Sequence, residues 1–227
     1  MHWLTAHRCR PAHRAPPVRG VRLRDGVALC LGEAWGSWYG PAPEVLVADV
    51  LAASLREASR IDEEALVWAF ARAQEAVARM PDEDGLKPSA SAAVCVATST
   101  DCLVAWRGAM SAFVRRRDGR CERTQAHVVA AGDARVPDGH LLHRMPACGV
   151  DGGAGAPEVR RFGPLAPGDV VLAMDADVGC FVEAEGLPRG VEGLDRWFED
   201  VLAGWTAPDE AVAWGCSPVV GMIEARR

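Results

Sequence analysis

The order of elements along this chain predicts an α+β sandwich. Two amphipathic stretches come early, a run of short apolar β-rich segments follows, and the chain closes strand, helix, strand. Its 227 residues, 49% of them hydrophobic, suffice for one sizeable domain with a buried core.

Residues 1–20 contain prolines at 11, 16 and 17, which bar a continuous helix. They are expected as a flexible basic arm, ahead of a domain spanning 21–227. Residues 21–31 suit a hairpin turning at Asp25-Gly26. Between 44 and 60, Val45, Ala48, Leu51, Ala52 and Leu55 recur at helical spacing. Asp62 is the expected N-cap of a second helix reaching residue 80. Glu63 and Glu64 occupy its first turn, and Leu66, Phe70, Ala73 and Val77 lie on its apolar face. Residues 81–89 form a turn-rich connector. Strands are predicted over 92–97, 102–106 and 111–117, with Thr100-Asp101 and Gly108 near the turns. The Gly- and Pro-rich stretch 132–157 is the longest irregular segment. Pro167-Gly168-Asp169 is a strong turn signal before the apolar run 170–173, and Asp175 stands where that strand ends. A last helix over 194–205 and a closing strand over 219–225 complete the order.

Bulk properties exclude several function classes. A net charge of -6 argues against nucleic acid as a partner, because such a surface needs a basic stripe. There is no 18-residue apolar run, so no membrane span is expected, and the start lacks the apolar core of a signal peptide. Eight cysteines with no C-x-x-C pair fit reduced thiols in a cytoplasmic protein better than a disulfide framework. His140, His143 and Cys148, like His2, His7, Cys9 and His13, do not follow zinc-ligand spacing.

Four stretches carry a family resemblance. In LAPGDVVLAMDADVG, residues Leu165, Pro167, Gly168, Asp169, Leu172 and Asp175 match a line of the form L-x-P-G-D-x-x-L-x-x-S-D-G-L, with Met174 for the Ser and Ala176 for the Gly. VALCLGEAWGS resembles V-A-D-G-x-G-S. Anchored on Gly36-Ser37, Glu33 falls on a metal-bridging Asp and Ala34 on a Gly whose carbonyl ligates. In the middle, Gly108, Arg115, Gly119, Thr124 and His127 match, whereas Ala109 and Ala126 replace acids and Ser111 replaces an Arg. CSPVVGMIEAR is similar to a final D-D-A-T-x-V-V-x-E strand, with Ser217-Pro218 at the acidic positions. A second register, through Asp209-Glu210-Ala211, restores an Asp there. In this order and spacing the chain resembles the metal-dependent protein phosphatases, the type 2C serine/threonine phosphatase family.

That resemblance implies a four-layer α-β-β-α sandwich, two antiparallel sheets flanked by helices, a helix pair outside each. It implies magnesium or manganese at the site, or no metal at all given the replaced acids. The implied metal ligands are Glu33, Asp175 and Asp209, and Arg14 or Arg19 would bind phosphate. Glu33 and Asp175 are expected at neighbouring strand ends, their carboxylates within roughly 8 Å. Each residue also has a structural reading: Asp175 and Asp177 as solvated acids, His127 as a hydrogen-bonded structural histidine, and Trp35, Trp38 and Tyr39 as core or as a binding patch. Glu33 is longer than Asp by a methylene, which displaces a bridging oxygen. The resulting expectation is a degenerate metal centre: a pseudophosphatase that binds a phosphoprotein, a kinase or a regulatory protein. The alternative is a divergent but active phosphatase. If little metal depends on Asp175, Asp175→Asn should leave stability nearly unchanged.

Overall fold

A computed structural model of the chain describes residues 1–9, 15–34, 42–81, 88–126, 128–129, 142–143, 156–175, 178–179, 186–204 and 219–227. The first strands are β1 (His2–Cys9), β2 (Val18–Arg22) and β3 (Gly26–Glu33), followed by helices α1 (Pro43–Glu57) and α2 (Glu63–Ala78). Then come β4 (Ser91–Thr98), β5 (Cys102–Arg107), β6 (Met110–Arg115) and β7 (Cys121–Arg123). The short pair β8 (Val128–Val129) and β9 (Leu142–His143) precedes β10 (Glu158–Arg161) and β11 (Val170–Asp175). Helix α3 (Leu194–Gly204) and strand β12 (Val219–Arg226) end the order.

Two five-stranded sheets result, one ordered β1-β12-β11-β6-β7 and the other β10-β5-β4-β3-β2, and every pairing in them is antiparallel. They stack face to face. Leu29 and Leu31 of β3 meet Val171, Ala173 and Ile223 of the opposite sheet in one core. The alternate residues Ala28 and Cys30 pack under Leu51, Leu66 and Phe70 of α1 and α2. On the far side, Leu172, Met174 and Met222 pack under Leu194 and Phe198 of α3. Four layers therefore enclose three apolar seams. Covering both faces explains why β4 is buried at every position, an apolar run without polar alternation. Each fully buried leucine contributes on the order of 1.5–3 kcal/mol relative to exposure.

The helices start where local chemistry favours it. Pro43 opens α1, where its missing N–H costs nothing. The Asp62 carboxylate caps α2 by accepting from Ala65 N at 3.1 Å, with Glu63 and Glu64 facing the positive end of the helix dipole. The hairpin predicted over 21–31 is β2–β3, closed by Leu23 N–H donating to Gly26 O at 2.9 Å. Predicted helices and central strands appear as α1, α2, β4, β5 and β6, and the late elements as β11, α3 and β12.

The N-terminal expectation needs correction. Residues 1–9 do not stand outside the domain as an arm: β1 pairs with β12 over its whole length, from His2↔Arg226 to Cys9↔Val219, and β2 already begins at Val18. Trp3 and Cys9 pack on the inter-sheet core while Ala6 packs on the other face, so a strand hides in a sequence whose remaining positions, Leu4 apart, are His, Arg and Thr. Strands β7 and β10 fall between the elements that the sequence predicts. Outside the sheet β1-β12-β11-β6-β7, the described residues show α3, preceded by a 3-10 turn at Val191–Gly193, and α-helical backbone at 178–179. Most of the segment 132–157 lies outside the described residues. Among the described residues no helix is long and apolar enough to cross a membrane.

Candidate functional site

Strand periodicity aims two carboxylates into the same gap. Leu29 and Leu31 on β3 face the opposite sheet, so Glu33, next in that series, does too. Val171 and Ala173 on β11 face β3, so Asp175 follows them inward. The two strands meet at Gly221, which pairs with Ala173 and lies so near Leu31 that a Cβ there would stand 3.2 Å from both leucine methyls. Glu33 and Asp175 each come two residues beyond that contact.

The neighbouring strands place both at one end of the sandwich. Glu33 pairs with Ser91, the Ser91 hydroxyl accepts from Ala109 N at 2.9 Å, and the adjacent Met110 pairs with Asp175. Both acids are buried, 5% and 4% exposed, which requires that their charge be answered locally. For Asp175 the answer is two main-chain amides. Its Oδ1 accepts from Val178 N and its Oδ2 from Val219 N, each at 2.9 Å. Bonds of this charge-assisted kind are among the stronger ones in proteins. The first caps the turn that follows β11, and the second fixes the start of β12.

The scaffold next to Glu33 is equally tight. A Cβ on Gly32 would lie 2.1 Å from the Glu44 carbonyl oxygen, so only glycine lets the first turn of α1 sit on the end of β3. Glu44 itself is a buried acid that sequence reasoning passed over; its place in the first helical turn gave no separate signal.

Arg19 is not brought to this gap. It pairs with Cys30 on the helix-facing side of its sheet, and its guanidinium donates to Asp49 of α1 through Nε at 2.6 Å and to the Pro16 and Val18 carbonyls. Asp169 lies at the opposite end of the sandwich. Its carboxylate accepts from Ala166 N, Arg117 N and Arg116 Nη1, while Gly168, at φ 91°, makes the turn. Thr124, in the matched middle stretch, serves the ladder: its hydroxyl accepts from Ala112 N at 2.8 Å. Asp209, Arg14, Asp177, His127 and Ser217 lie outside the described residues, as do Trp35, Trp38, Tyr39, His140 and Cys148.

Other chemistries find little footing in the described part of the molecule. Burial pushes the Cys30 and Cys102 thiols up to about 12, which keeps both protonated near neutral pH. Among the described residues, no three of His, Cys, Asp and Glu gather closely enough to hold a metal ion.

No family model matches the sequence, and no curated protein is similar to it in sequence. Solved structures are similar in fold. The serine/threonine phosphatase PstP/Ppp of Mycobacterium tuberculosis is 15% identical, with 100% of each chain covered and a TM-score of 0.67. A PstP catalytic domain in complex with two manganese ions is 17% identical over 99% of each chain, at a TM-score of 0.71. The S. agalactiae serine/threonine phosphatase is 10% identical over 99% of this chain and 100% of that one, at 0.70. With identities this low the likeness is one of architecture, and on that ground the chain has the α-β-β-α sandwich fold of the type 2C serine/threonine phosphatases.

Proposed function

We propose that this protein is a pseudophosphatase: a type 2C phosphatase fold that acts by binding a phosphoprotein, kinase or regulatory protein without turning it over. A fold leaves activity open, and the chemistry of the site decides it. The observation that carries the reading is Asp175. Its two oxygens each accept a main-chain N–H, so the amides supply the compensation that a divalent cation would otherwise provide.

Phosphate-monoester hydrolysis on this fold would use two hard divalent ions to generate a nucleophilic water and to clamp the phosphoryl oxygens. Magnesium or manganese would need several carboxylate oxygens. Glu33 and Asp175 together bring at most two negative charges, too few to offset the repulsion between two divalent ions. Ala109 and Ala126 stand where the resembled motifs carry acids, and Met174 and Ala176 replace a Ser and a Gly. The described donor set does not fit a two-ion centre, and no catalytic step is derived through one. What the gap offers is a buried acidic floor between two rigid strand ends.

One observation favours the second reading, a divergent active phosphatase: both carboxylates face the same gap at the same end of the sandwich. The assay that separates the two measures phosphate release from a phosphothreonine peptide with manganese or magnesium present. Negligible release is expected. Manganese-dependent turnover abolished by Asp175→Asn would overturn the proposal, and its loss in Asp209→Asn as well would place Asp209 among the ligands.

A further inference from the structure

Arginine supplies nearly all the positive charge of this acidic chain, and it gathers where β6, β7 and β10 meet. Some of these guanidinium groups are satisfied. Arg116 is paired with Asp169, Arg120 with Asp118, Arg160 with Glu122 and Arg161 with Asp101. Arg115, Arg117 and Arg123 differ: among the described residues none of them makes an ion pair.

These three share one side of the β6–β7 hairpin. Ala112 and Val114 face the inter-sheet core, so Phe113 and Arg115 point to the outer face. Arg123 pairs with Phe113 across the ladder and therefore stands on that same face, diagonal to Arg115. Its guanidinium lies 5.0 Å over the Phe113 ring. Arg117 continues the row into the turn, its side-chain stem against Gly168, where a Cβ would come within 3.3 Å of it. Arg117 is thus held by its stem and Arg123 by its guanidinium plane on Phe113, and both residues are exposed.

From this arrangement we infer a docking surface for an extended acidic segment of a partner protein. Like charges a few ångströms apart repel until an anion lies between them, and the planar guanidinium fork matches a carboxylate in a bidentate fashion. Arg115 and Arg123 are diagonal neighbours across the β6–β7 ladder, about 7 Å apart. That distance is close to the ~6.6 Å between alternate side chains of an extended peptide, so acids at every second position meet both. The surface lies at the end of β6 away from Asp175, so it is separate from the gap described above.

The experiment is fluorescence anisotropy of a labelled peptide of alternating Glu and Ser, titrated with the full chain. The expected result is saturable binding that weakens about tenfold in the Arg115→Gln/Arg117→Gln/Arg123→Gln variant and weakens again with added salt. The Arg→Lys triple variant, which keeps the charge but loses the bidentate fork, should bind more weakly than the parent and more tightly than the Gln variant, and an unchanged melting temperature shows that the fold survives. Equal binding by the Gln variant, or equal binding of a peptide with Gln for Glu, would overturn the inference. So would tighter binding of single-stranded DNA, which would mark a general polyanion surface. A singly phosphorylated peptide without other acids binding as well as the alternating one would overturn the register argument. Phosphate release has no part in this readout, so failure here leaves the pseudophosphatase reading to its own assay.

Discussion

Asp175 holds two amides from distant parts of the chain, Val178 N–H three residues on and Val219 N–H 44 residues on. An asparagine there would offer one acceptor oxygen and turn an NH2 group against the other N–H. One buried amide would then go unpaired, at a cost of about 1–3 kcal/mol, more when the lost partner is charged. Asp175→Asn should therefore lower unfolding stability by roughly 2–3 kcal/mol in urea titration, with or without manganese. A near-neutral result would return the residue to the role of a spare ligand. The earlier expectation of a neutral substitution treated Asp175 as an isolated acid at a strand end. A turn before it and an apolar run leading to it are visible in sequence; donors from distant segments are not. Glu33 emerged only by resemblance, because one acid after CLG carries no signal of its own. The engagement of Arg19 with Asp49 was hidden for a similar reason: it depends on which face of β2 meets α1.

At the level of elements, legibility follows how much of the periodic signal each segment keeps. Helix α2 was readable from a cap, two acids and a clean apolar stripe. Strand β1 was not, because an edge strand half-covered on both faces tolerates His and Arg between its few apolar contacts. Strand β10 reads EVRR, three charges and one valine, and is a strand because β5 offers it a ladder. The joint between β3 and α1 is readable only in three dimensions. Gly32→Ala would drive a methyl into backbone that cannot rotate away, the Glu44 carbonyl at 2.1 Å. The helix must shift or the strand must bend, and overpacking of this kind costs about 1–3 kcal/mol or more. The expected outcome is a lower melting temperature; a variant as stable as the parent would mean that α1 sits more loosely on β3 than described.

For the molecule as a whole, the loss of stability in acid arises partly at the β12 end. Burial raises the proton affinity of Glu224, but Arg226 and the Val191 N–H outweigh it and hold the carboxyl below its usual range. A carboxyl whose pKa is lower when folded stabilises the native state above its unfolded value, and that contribution fades as pH falls through the folded value. Glu224→Gln should thus lose stability at pH 7 and converge with the parent in acid, as read by thermal melts across pH 2–7 (about the range where carboxylates titrate). A constant gap over that range would contradict the assignment. The tie between Asp175 and Val219 has a different sort of consequence. The backbone departs β11 at one and returns on β12 at the other, side by side in a single sheet, so everything between them is an excursion with its two feet fastened together. Lengthening such a closed detour is cheap, about 0.6 kcal/mol for each doubling. Grafted sequence could therefore accumulate there while the ladder beneath, and the two acids it positions, stay in place.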